Sequence, residues 1–365
     1  MHSPIGPVAA KRIHPSERGA SFPYLRQLDA LRAFAAVAVL VAHYVPASEI
    51  VGFSGAIGVR VFFAISGFLI TGILLTSRRA VESGQSAAFA LRQFYARRFL
   101  RIFPLYYLVV FVTAAFGISD ARQAFWWYVS YTVNFRVTLV GDWIGLSHFW
   151  SLAAEEQFYL FWPLVILFVG RRRLVLVVTA VIVMGPLSRA ILVVAGANAV
   201  QLEAAPPSCL DALGLGALLA LAWNMHLEGL ERRLVWAGLW FGVPAVFGLT
   251  VCNLCGALQA AYGVLFDFAV AICSVSIVAK ASRGFEGLAG RLLEWRPLQF
   301  IGTISYGLYV YHYVVGEVVG WSTVQNRWAV APATLATFAI AFVSWFFYER
   351  PINQWKHRFP YCRPA

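Results

Sequence analysis

Arg32 and His43 stand eleven positions apart in the apolar run LDALRAFAAVAVLVAHY, residues 28–44. At ~1.5 Å rise per residue, a helix would separate them by about 16 Å along its axis. Ionisable groups inside a segment of membrane length are costly and mark function by default. A guanidinium near one membrane face and a titratable imidazole deeper in suit a reaction site. A neutral imidazole takes a proton from an attacking hydroxyl, and a carboxylate can orient it and stabilise its charged form. Such a carboxylate is offered by Glu155 in SHFWSLAAEEQFY, residues 147–159. Ser151, Glu155 and Tyr159 follow one another at i, i+4 on one helix face.

The second chemistry-bearing group is basic. Arg97, Arg98 and Arg101 lie in FYARRFLRIFP, residues 94–104. Arg97 and Arg101 share a helix face. Guanidinium forks fit phosphate oxygens, so this cluster, with Arg32, could hold the diphosphate of a nucleotide-like donor such as coenzyme A. The same arginines would equally serve as an anchor on lipid headgroups. Around His43 further candidates gather at one depth. Arg60 and His148 are expected near a rim, and Ser66, Ser151, Tyr306 and His312 deeper in. Each has a plain structural alternative as an interhelical hydrogen-bond or packing partner. Asp211 and Asp267 also fall in apolar segments, where each needs a partner or a proton.

The elements that must position these groups are membrane helices. The chain has 365 residues, of which 60% are hydrophobic and only 13% charged. A soluble domain carries about 25% charged residues. About ten spans of roughly 20 apolar residues can be read. They cover 28–46, 57–76, 102–118, 149–169, 174–195, 209–224, 234–251, 259–280, 299–319 and 329–348. Residues 122–135 read as an interfacial helix, and 77–101, 119–148 and 281–298 as the largest loops. The net charge of +12 fits basic loops on an anionic membrane surface, and no nucleic-acid motif competes with that reading. With a cytoplasmic N-terminus, every one of the 29 Lys and Arg except Arg60, Arg122, Arg136, Arg189 and Arg327 falls in or beside a cytoplasmic segment. Both termini are therefore expected in the cytoplasm. The five cysteines form no disulfide framework, and Cys252-Asn-Leu-Cys255 has no second pair or His cluster to complete a metal site. The expected fold is an all-α polytopic membrane bundle. A basic cytoplasmic tail at 1–24 is expected to be disordered, a membrane domain spans 25–355, and 356–365 is a short cytoplasmic tail.

Six blocks occur in order: LDALRAFAAVAVLVAHY, GVRVFFAISGFLITGILL, FYARRFLRIFPLYY, HFWSLAAEEQFYLFWPL, ISYGLYVYH and FYERPINQW. Together they resemble the acyltransferase-3 family, integral-membrane O-acyltransferases of bacterial surface glycans, nodulation factors and macrolides. The resemblance runs from about residue 24 to 355, in the stand-alone form without a C-terminal SGNH-type domain. It implies catalytic roles for His43 and Glu155. It also implies that Arg32, Arg97, Arg98 and Arg101 bind an acyl-CoA donor, most often acetyl-CoA, with no permanently bound cofactor. It implies transfer of the acyl group to a hydroxyl of a glycan or glycolipid acceptor, at a bacterial inner membrane whose lipids surround the protein. One departure is Cys209, where relatives often carry Arg two residues before the position of Asp211. Two other classes fit the composition: a secondary transporter or flippase for an envelope precursor, and a structural scaffold for envelope assembly. No inverted repeat speaks for transport.

Overall fold

The computed structural model describes residues 22–45, 49–320 and 327–361. Most of the expected tail at 1–24, namely 1–21, lies outside the described residues, as do 362–365. The chain folds as a bundle of helices with no strand among the described residues. Its first three helices are α1 (Arg26–Tyr44), α2 (Glu49–Glu82) and α3 (Ala87–Phe116). Two short helices, α4 (Phe125–Val129) and α5 (Val133–Val140), lead to α6 (Phe149–Phe168) and α7 (Arg171–Val194). Then come α8 (Ala199–Ala204), α9 (Leu210–Asn224), α10 (Glu228–Ala237), α11 (Val243–Leu254) and α12 (Gln259–Arg283). The last are α13 (Gly287–Leu293), α14 (Arg296–Thr303), α15 (Ser305–Val319), α16 (Arg327–Ser344) and α17 (Arg350–Gln354).

Eight helical stretches among the described residues are long and apolar enough to cross a membrane. The two expected spans outside that set are 149–169 and 299–319. The first is the continuous helix α6, whose first half is buried. The second is broken at Ile304 into α14 and α15. Both carry inward-facing polar side chains, which lowers their hydropathy; shielding by neighbouring helices lets such residues sit at membrane depth. A further correction concerns the loops. Residues 77–101 are not a loop: α2 continues to Glu82 and α3 begins at Ala87. Hydropathy marks where a helix becomes apolar, not where it starts. The expected interfacial helix at 122–135 is two short helices separated by a turn at Tyr131, which has a left-handed φ of 54°.

Helix α2 is the central strut, packed on α1, α6, α9 and α12. Small residues allow its closest contact. A Cβ at Gly67 would lie 2.0 Å from the Leu213 carbonyl oxygen, and one at Gly216 would lie 2.3 Å from that of Ala64. Small-residue contacts of this kind let membrane helices approach backbone to backbone. On the other side, α14 presses on the start of α1, where a Cβ at Gly302 would lie 1.8 Å from the Asp29 carbonyl oxygen. Arg78 caps the end of α6, donating from Nη1 to the carbonyls of Ile166 (2.9 Å) and Val169 (2.7 Å).

Candidate active site

Three cavities lie in sequence along α1. The first, of 390 Å³, is basic and sits at the N-terminal end of α1. Arg32 reaches it from α1, Arg97, Arg98 and Arg101 from α3, and Lys356 from the turn after α17. Arg32 is steadied by Asp29 (3.0 Å), whose other carboxylate oxygen accepts from Tyr24. Arg98 lies over the Tyr159 ring at 5.7 Å, and its buried Nε has no hydrogen-bond partner among the described residues. Arg97 lines the same cavity and is also tied to backbone carbonyls. Its Nη1 donates to the carbonyls of Lys356 (2.9 Å) and Phe359 (3.0 Å), and its guanidinium lies 4.5 Å over the Tyr361 ring. It thereby clamps residues 356–361, the start of the expected short C-terminal tail, onto the cavity wall. Five basic side chains converge here, and among the described residues the one ion pair they make is that of Arg32 with Asp29. Such a gathering of guanidinium groups suits phosphate or carboxylate oxygens.

The middle cavity is narrow, about 90 Å³. Its wall includes Arg32, Ser66, Arg98, Arg101 and Tyr159, all of which also line the basic cavity. Glu155 sits here and accepts hydrogen bonds from the Ser66 and Tyr159 hydroxyls. The i, i+4 spacing of Glu155 and Tyr159 is thus a real contact. Ser151 Oγ lies 2.6 Å from Tyr309 Oη, which donates to the His148 carbonyl (2.7 Å). Tyr306 Oη donates to the Ile102 carbonyl at 2.7 Å.

The distal cavity, 330 Å³, is lined by His43, His148, Tyr313, Trp143, Trp150 and Glu203, among others. It shares Val59 and Tyr309 with the middle cavity. His43 Nδ1 lies 2.8 Å from the Val39 carbonyl. A carbonyl only accepts, so Nδ1 carries the proton and Nε2 keeps its lone pair. His312 does the same with the Tyr309 carbonyl (2.6 Å), and its Nε2 has no partner among the described residues. The rings of His43 and His312 are 4.8 Å apart, and those of His148 and His312 are 5.0 Å apart. His148 stacks on Tyr313 at 5.0 Å, and among the described residues neither of its ring nitrogens has a hydrogen-bond partner. The three imidazoles therefore form one cluster. Glu155 does not join it by a hydrogen bond; it belongs to the middle cavity.

Two rim expectations are corrected. His148 is buried, 3% exposed. Arg60 is wholly buried and paired with Asp267 at 2.5 Å, lining none of the three cavities. Asp267 thereby gains the partner its depth requires, and Asp211 gains one in Arg189 at 2.5 Å. Sequence reasoning also passed over Lys356, Trp143 and Glu203. In the sequence Lys356 reads as part of a tail, and the other two as parts of extramembrane connections. Burial, with the Asp267 carboxylate nearby, pushes Glu203 up to about 7 against the pull of Arg60.

Comparison with known proteins adds three findings. Residues 25–349 match the family described as an acyltransferase domain. The chain is 33% identical over 369 residues to the peptidoglycan O-acetyltransferase OatA of Listeria monocytogenes, covering 91% of this chain and 56% of that protein. It is 28% identical over 368 residues to the O-acetyltransferase OatA of Staphylococcus aureus, covering 91% of this chain and 57% of that protein. The chain thus spans little more than half the length of these relatives. No solved structure matches it significantly.

Proposed function

The chain belongs to the acyltransferase domain family, and from that premise we propose that it is a membrane O-acetyltransferase moving an acetyl group from acetyl-CoA to a glycan hydroxyl. The observation that carries this reading is the row of cavities, each sharing wall residues with the next. An anion site stands at one end and an imidazole with a free Nε2 at the other. The charge distribution of the chain supports a cytoplasmic basic cavity, with the distal cavity toward the opposite face of a bacterial inner membrane. The relatives' names support acetyl as the acyl group and an envelope glycan as acceptor.

The CoA phosphates bind Arg98, Arg101, Arg32 and Lys356, with Arg97 holding the wall around them. The pantetheine arm runs through the middle cavity past Ser66, Ser151, Tyr306 and Glu155. A cavity of about 90 Å³ suits an extended arm better than a sugar ring, so in this reading donor and acceptor meet from opposite sides. His43 Nε2 takes the proton of the acceptor hydroxyl as its oxygen attacks the thioester carbonyl. The new ester C–O bond forms, the C–S bond breaks, and the proton passes from His43 to the departing thiolate. His312 and His148, packed at His43, keep the imidazole oriented. Glu155 acts on the passage and not on the imidazole directly.

The test is transfer from radiolabelled acetyl-CoA by purified, detergent-solubilised protein, with and without envelope glycan extract. Label is expected in glycan with the wild type and not with His43→Ala. Label retained on wild-type protein and lost in the variant would replace direct transfer with an acyl-imidazole. No CoA-dependent label from folded protein would overturn the enzymatic reading in favour of transport.

A further inference from the structure

Among the side chains of the distal cavity that the transfer step leaves without a role are Trp143 and Glu203. They come from two segments built as one piece. Asn198 and Gln201 cap α8 reciprocally. The same two side chains tie α8 to the end of α5, Asn198 donating to the Gly141 carbonyl (2.8 Å) and Gln201 to that of Thr138 (3.0 Å). Further along the 141–148 loop, the Leu146 amide donates to Tyr128 Oη at 2.9 Å. Gly145, at a φ of 56°, is packed so closely that a Cβ would lie 2.6 Å from the Ser119 carbonyl oxygen. Trp143 and Glu203 are therefore held in fixed relation.

Their chemistry is complementary. Trp143 remains 39% exposed while its ring stands 6.1 Å from that of Trp150. Glu203 makes no side-chain hydrogen bond or ion pair among the described residues, although it lines the cavity. The described wall of this cavity carries no Lys or Arg, whereas the basic cavity gathers five. A flat indole beside an unpaired carboxylate suits a ring with an apolar C–H face and hydroxyls at its edge. The absence of cations in that wall sets it against a carboxylate or phosphate on the same ring.

We propose that Trp143 and Glu203 form a subsite for a neutral pyranose ring and thereby set acceptor specificity. The ring packs its C–H face on Trp143 and donates hydroxyl hydrogens to Glu203, which presents a neighbouring hydroxyl to His43. This inference rests on the proposed function. It adds the residues that choose the acceptor and the charge they tolerate.

The test uses two soluble probes with wild-type protein and acetyl-CoA: uncharged chitopentaose and the carboxylate-bearing pentagalacturonate. Wild type is expected to acetylate the first and to discriminate against the second. Glu203→Gln and Trp143→Ala should each raise the KM for chitopentaose tenfold or more, with a smaller change in kcat. Trp143→Phe, which keeps a flat ring, should bring KM back to within about threefold of wild type. Glu203→Gln should also narrow the discrimination against pentagalacturonate. A pH series gives a readout that lost packing would not imitate. The KM for chitopentaose should fall as pH rises through about 7, where Glu203 becomes charged, and this step should vanish in Glu203→Gln. The groups facing Glu203 are His43, His148, Tyr309 and Tyr313 across the cavity, with Arg60 and Asp267 behind it. A step that survives in Glu203→Gln belongs to one of them and overturns the assignment. So does an unchanged KM in both variants, or wild type that acetylates envelope glycan but not chitopentaose. Wild type that transfers acetyl to nothing overturns the proposed function itself, and this inference with it.

Discussion

Replacing Asp267 by Asn separates a structural role for Arg60 from the acceptor role its sequence position suggests. Arg60 is 0% exposed and Asp267 is 14% exposed as side chains, with 2.5 Å between Nη2 and Oδ2. The remaining Nε and Nη1 of Arg60 have no partner among the described residues. Asp267 therefore supplies the only carboxylate paired with this guanidinium there. Removing one partner of a buried pair costs about 3–5 kcal/mol, because the other charge stays buried and uncompensated. The slight exposure of Asp267 puts the expected loss near the lower end, about 3 kcal/mol, or roughly two powers of ten in the folding equilibrium. The assay is thermal unfolding in detergent followed by tryptophan fluorescence, with acetyl transfer measured beside it. Asp267→Asn should unfold several degrees below wild type. The double variant Arg60→Met with Asp267→Leu removes both buried charges and should recover most of that loss. It should also retain transfer, because Arg60 lines none of the three cavities. Asp267→Asn at wild-type stability would refute the energetic argument. A stable double variant without transfer would refute the structural assignment and return Arg60 to the acceptor.

Other outcomes follow from the same geometry. His43→Ala should lower kcat at least a hundredfold while CoA still binds, since general-base catalysis contributes about 10²–10⁴; isothermal titration with CoA checks the second half. Arg98→Glu should weaken CoA binding by two orders of magnitude or more, and Lys356→Ala by about tenfold, in keeping with ~1.5–3 kcal/mol for a hydrogen bond to a charged group. Both losses should shrink as ionic strength rises in the same titration. Gly302→Ala drives a methyl into the Asp29 carbonyl and should cost about 1–3 kcal/mol of stability through overpacking. Gly229→Ala, with nothing within 4 Å of the new Cβ, should change the melting temperature little.

Much of the scaffold was legible because its cause is local. Apolar runs of membrane length mark helices wherever the chain faces lipid, and the bundle follows from their number. The separation of Arg32 from His43 follows from helical rise, and the structure keeps them in different cavities. The contact of Glu155 with Tyr159 follows from i, i+4 spacing. Legibility failed where hydropathy is a poor ruler. The amphipathic start of α3 reads as a loop, since its arginines lower the hydropathy without interrupting the helix. Helix α15 reads as joined to α14, since no residue type at Ile304 announces the break.

The sequence by itself therefore determined that this is a membrane bundle, which residues could bind an anion, and which imidazole stands a fixed distance from them. Only the tertiary structure decided their partners. Arg60 meets Asp267 across 207 positions, Arg97 holds the carbonyls of a segment about 260 positions away, and Trp143 and Glu203 join His43 in one cavity. Periodicity and rise are properties of neighbouring residues and can be read along the chain. Pairing of buried charges and the walls of a cavity depend on which helix faces pack together, and that is settled by the mutual fit of many side chains at once.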